Sequence, residues 1–71
     1  MNEWLATRAC ALGVEELSSD EISLLLNLAG DAAHESGART NAPLLCYLLG
    51  RAAGSGERTL AELAELVRST S

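Results

Sequence analysis

The chain has 71 residues, 48% of them hydrophobic, and a formal net charge of −5. That length makes a single domain near the lower limit for a self-sufficient core, burying only about 60% of the surface its unfolded form exposes. All basic residues are Arg and lie scattered, so no cationic stripe exists to displace counterions from phosphates, which argues against nucleic acid and against anionic membrane surfaces.

The longest apolar run, "APLLCYLLG", is less than half of the roughly 20 residues needed to cross a bilayer. The start, "MNEWLATRA", carries an acid where a signal peptide is basic. A soluble, cytoplasmic protein is the expectation. The apolar supply is mostly Leu and Ala, with no Phe, one Trp and one Tyr. Both residues favour helix through high propensity and low entropy cost. Residues 1–71 therefore read as one all-α domain, a compact four-helix arrangement over about 3–12, 19–36, 42–53 and 59–69.

The first helix is capped by Asn2 and ended by Gly13, with Leu5, Ala9 and Leu12 on one face and Trp4 at its edge. The second opens on "LSSDEI", where Ser18 and Glu21 form a capping box and Leu17 and Ile22 take the staple positions. Asp20 and Glu21 complement the positive end of its dipole. Its apolar residues cover more than half the circumference, which makes it the central helix, stopped by Gly37. The third follows Asn41 as cap, with Pro43 in its first turn. Leu44, Leu45, Leu48, Leu49 and Ala52 form its broad face, and Tyr47, Gly50 and Arg51 the opposite side. "GSG" closes it. The fourth begins at Thr59 with a second capping box to Glu62, and Leu60, Leu63, Ala64 and Val67 point inward. Short connections place sequential helices antiparallel or steeply crossed. Gly30 and Gly50 lie inside helices at a cost of about 0.5–1 kcal/mol each, which a close crossing of the second and third helices would offset.

Chemistry-bearing residues gather around the bend "AAHESGARTNAP". His34, the one histidine of the chain and so the natural candidate for a functional group, shares a helix side with Asp31. Its functional readings are a general base, or a metal ligand with Asp31 and Glu35. Zinc takes three or four ligands, however, and no second His or nearby Cys pair exists. No metal site and no cofactor are expected. The simpler reading makes His34 a brace in the last turn of its helix, bonding free carbonyls or the following loop. Arg39 can pair with Glu35 or reach an anion. Tyr47 and Arg51, one turn apart, are types enriched at interfaces. Cys10 and Cys46 read as buried, reduced thiols, with a bridge between them as the alternative.

Taken together, "WLA" near the start, "LG" ending the first helix, "GDAAH" in the second, and "APL" and "LLGRAAG" in the third resemble a small actinobacterial helical domain of unknown function. Members stand alone or are joined to the molybdenum cofactor guanylyltransferase. The family pattern covers Trp4, Leu5, Asp31, His34, Arg39, Ala42, Pro43, Leu44 and Gly50, while Thr40 stands where members often have proline. The resemblance supplies no catalytic residue and implies an accessory role near molybdenum cofactor biosynthesis or molybdoenzyme maturation.

The function expected is thus a non-catalytic interaction domain whose partner is another protein or a second copy, with a molybdenum cofactor guanylyltransferase or molybdoenzyme factor as one candidate. Its contact corner comprises Asp31, His34, Arg39, Asn41, Pro43, Tyr47 and Arg51. The alternative is a small catalytic or ligand-handling protein that acts on an anionic cofactor or nucleotide through His34, Asp31 and Arg39.

Overall fold

Helix boundaries fall where flanking residues satisfy the free backbone groups that every helix end leaves. A computed structural model describes residues 2–70 and contains α1 (Glu3–Leu12), α2 (Ser19–Ser36), α3 (Asn41–Ala53) and α4 (Leu60–Ser69); among the described residues there is no strand. The Asn2 side chain accepts the Leu5 amide at 2.9 Å. Gly13, at φ 72°, ends α1 in a left-handed turn. There the Val14 amide donates to the Ala9 carbonyl at 3.0 Å and the Gly13 amide to that of Cys10 at 3.1 Å, the paired bonds of a Schellman stop. Both expected capping boxes are present, Ser18 with Glu21 and Thr59 with Glu62.

α3 departs from expectation at its start. Asn41 is its first residue, not its cap; Thr40 holds that place in helical geometry, without a side-chain bond. Its entry is instead secured by a backbone turn, in which the Asn41 amide donates to the Ala38 carbonyl and that of Ala42 to Arg39. Pro43, in the first turn, loses nothing by lacking an amide.

The core forms where α2, α3 and α4 meet. Leu28, Leu49, Leu63 and Ala64 are buried there, flanked by half-buried Leu24, Leu25, Leu45, Ala53, Leu60 and Val67. Leu28, only 1% exposed, is the central contact, and burying such a side chain contributes about 1.5–3 kcal/mol. α4 presents the inward stripe its period predicts. α3 buries a narrower face than expected, since Leu44, Leu48 and Ala52 are exposed; their angular positions flank the contact line defined by Leu45, Leu49 and Ala53.

Three further expectations change. α2 packs on α3 and α4, but no Cα of α1 comes within 8 Å of one in another helix. The expected α1–α2 packing is therefore absent, and the central helix has two neighbours. Gly30 and Gly50 do not mark a close crossing: a Cβ at either would meet nothing within 4 Å. Finally, both cysteines are free and Cys10 is exposed, Cys46 half-buried. The face of α1 that carries Cys10 has no helix opposite it.

Candidate functional site

The bend between α2 and α3 is built from its serine. The Ser36 hydroxyl donates to the Ala32 carbonyl at 2.6 Å and accepts the Ala38 amide at 3.2 Å, tying the last turn of α2 to the loop while Gly37, at φ 69°, reverses the chain. This is the brace that the sequence suggested for His34. The imidazole instead is exposed and makes no hydrogen bond.

The expected corner separates into three places. Asp31 and Asn41 line a depression of about 400 Å³ with Glu35, Ser36 and Arg68, over an apolar floor of Leu28, Ala32, Leu45 and Val67. His34 and Arg39 line a different, more open one with Ala33 and Gly37. Pro43, Tyr47 and Arg51 stand on the outward side of α3, all exposed. There the Arg51 guanidinium carbon lies 5.9 Å from the centre of the Tyr47 ring, within cation–π reach.

The first depression draws in residues the bend itself did not suggest. Arg68 arrives from the last turn of α4. Its Nη1 lies 3.9 Å from Glu65 Oε1, a half-exposed surface pair of the kind that adds little stability. Glu35 follows Asp31 one turn along α2, whereas Arg68 is brought to the same depression by the packing of α4 on α2, which no local pattern announces. Arg39 forms no ion pair with Glu35. Elsewhere, the Thr59 amide and hydroxyl, with Arg58 nearby, hold the Glu62 carboxyl below the ordinary carboxylate range. Among the described residues, no group of three or more His, Cys, Asp and Glu is placed to hold a metal ion, and no helix is long and apolar enough to cross a membrane.

What the arrangement offers is surface more than chemistry. Asp31 and His34 open onto separate depressions, so no acid–imidazole pair faces a common space. Comparison with protein families then decides the lineage, because the model of DUF6457, a domain of unknown function, matches residues 1–71. The chain belongs to the DUF6457 family. No curated protein and no solved structure matches it. For this DUF6457 chain the features that stand out are the outward stripe of α3 and the apolar residues left uncovered: Trp4, Leu12, Val14, Leu26, Leu44, Tyr47 and Leu48 are all more than half exposed.

Proposed function

We propose that this domain is a non-catalytic accessory module that docks on another protein through the outward face of α3. The observation that carries the reading is the stripe formed by Leu44, Tyr47 and Arg51. Leu44 is 60% and Tyr47 68% exposed, and the guanidinium lies over the ring. Tyr and Arg are the types that dominate binding energy at interface centres, and held together on a rigid helix they lose little freedom on binding. Pro43, at the start of the same stripe, stiffens its end. Arg39 and His34 line a separate depression at the bend and are not part of this face.

The partner in this proposal is a molybdenum cofactor guanylyltransferase or a molybdoenzyme maturation factor, in the cytoplasm of an actinobacterium. Support for it comes from the likeness of the "GDAAH" and "LLGRAAG" motifs to domains that stand alone or are joined to that transferase; it is an association and not a site. The test is direct titration of the purified domain with the transferase, followed by calorimetry. Saturable binding that Tyr47→Ala weakens by tenfold or more is the expected result. Absence of binding at millimolar domain removes the named partner. Binding indifferent to both Tyr47→Ala and Arg51→Ala removes the α3 surface.

The alternative, an anionic ligand handled by His34, Asp31 and Arg39, is less well served, because Asp31 faces a different depression from the other two. A pterin or nucleotide that shifts the His34 imidazole proton resonances at stoichiometric concentration would restore it.

A further inference from the structure

A ten-residue helix with no close helix neighbour poses a physical problem. Isolated helices shorter than about 12–15 residues are marginal in water even with good helix formers. α1 is of that length, and no Cα of it lies within 8 Å of another helix. Its Asn2 cap and Gly13 stop satisfy the ends, yet Ala9 is its one buried residue. Along the same side Leu5 is 38% and Leu12 75% exposed, Trp4 beside them 62%, and the connector adds Val14 at 59%. The helix needs an apolar surface to lie on, and its own core does not provide one.

A matching surface exists elsewhere on the chain. Between α3 and α4 runs an open groove of about 220 Å³ whose lining is apolar throughout, including Leu45, Leu48, Ala52, Leu63 and Leu66. We infer that two copies of this chain associate, with α1 of each lying in the α3–α4 groove of the other.

Area and charge both favour a second copy as the occupant. A standard interface buries about 800 Å² per partner, more than one short helix in one groove supplies. Two-fold pairing makes the contact twice, so that every protomer contributes both a helix and a groove. The net charge of −5 does not oppose this, because its excess lies in the α1–α2 connector and on α2, at Glu15, Glu16, Asp20, Glu21, Asp31 and Glu35. α1 carries only Glu3 and Arg8 and is neutral; on α3 and α4 together, Arg51 and Arg68 balance Glu62 and Glu65. The connector between α1 and α2, residues 13–18, spans up to about 20 Å when extended, enough to carry α1 to a neighbouring molecule.

The experiment is sedimentation equilibrium of the 71-residue chain from micromolar to millimolar concentration, with the emission of Trp4, its only tryptophan, read in parallel. A concentration-dependent dimer is expected, with Trp4 emission shifting to the blue as it forms. Leu12→Glu on the helix and Leu66→Glu in the groove, both at exposed positions, each abolish the dimer while far-ultraviolet circular dichroism shows α2–α4 retained. Mixing the two variants gives association weaker than that of the wild type but stronger than that of either variant alone, since one of the two helix–groove contacts is then intact. A wild-type chain that stays monomeric at millimolar concentration overturns the inference. So does a dimer that Leu66→Glu leaves intact, which would place α1 against α1. Tyr47→Ala leaves the dimer unchanged, so failure here is distinct from failure of the α3 docking surface.

Discussion

Asp31 and His34 stand one turn apart on α2 and open onto different depressions, Asp31 with Asn41 and Arg68 and His34 with Arg39. Helical spacing puts the two on one side of a wheel, but the packing of α4 takes only the first of them into a groove. The pair therefore does not act as a unit. His34→Ala, which removes an exposed side chain without hydrogen bonds, changes stability by no more than about 0.5 kcal/mol. Ser36→Ala, which removes the brace of the bend, costs about 0.5–1.5 kcal/mol. Urea denaturation of the two variants side by side checks the contrast.

Gly30 and Gly50 have open space where a Cβ would stand. Replacing either with alanine raises stability by about 0.5–1 kcal/mol, through helix propensity alone. Gly37→Ala goes the other way, because at φ 69° an L-residue is strained by roughly 1–2 kcal/mol. Three urea midpoints decide it, and a loss of stability at Gly50 would reinstate a close helix crossing.

Leu28 is the contact on which three helices converge. Leu28→Ala costs about 2–5 kcal/mol, a large part of the roughly 4–11 kcal/mol a domain of this size possesses. Leu26, two residues away and 68% exposed, tolerates the same change within about 0.5 kcal/mol. Thermal melts by circular dichroism should show the first variant largely unfolded at temperatures where the second is intact.

The α4 cap makes the fold sensitive to acid. Thr59→Ala removes the acceptor for the Glu62 amide and costs about 1 kcal/mol, a fall of about 4–8 °C in melting temperature. Glu62 itself is held below its usual pKa of 4.5, chiefly by the Thr59 amide. A carboxyl depressed in the folded state stabilises fully above its unfolded pKa, and that contribution disappears as pH falls through the folded value. Fraying of α4 therefore sets in below pH 4.5. Glu62→Gln, which cannot ionise, removes this share of the pH dependence, measurable by circular dichroism between neutral and acid pH.

The amino-acid sequence by itself determined the local structure: four helices, their ends apart from the start of α3, both capping boxes and the inward stripe of α4. Those features depend on residues within four positions of one another, through hydrogen bonds such as Ser18 to Glu21 and through the left-handed turns at Gly13 and Gly37. Tertiary structure decided everything that depends on which helix faces which. It left α1 without a close helix neighbour, brought Arg68 into the depression that Asp31 lines, and left Gly30 and Gly50 uncrowded. The physical reason is that α1, α2 and α3 each carry more apolar circumference than one neighbour covers. Periodicity then permits several packings, and only the geometry of the buried contact around Leu28 selects among them.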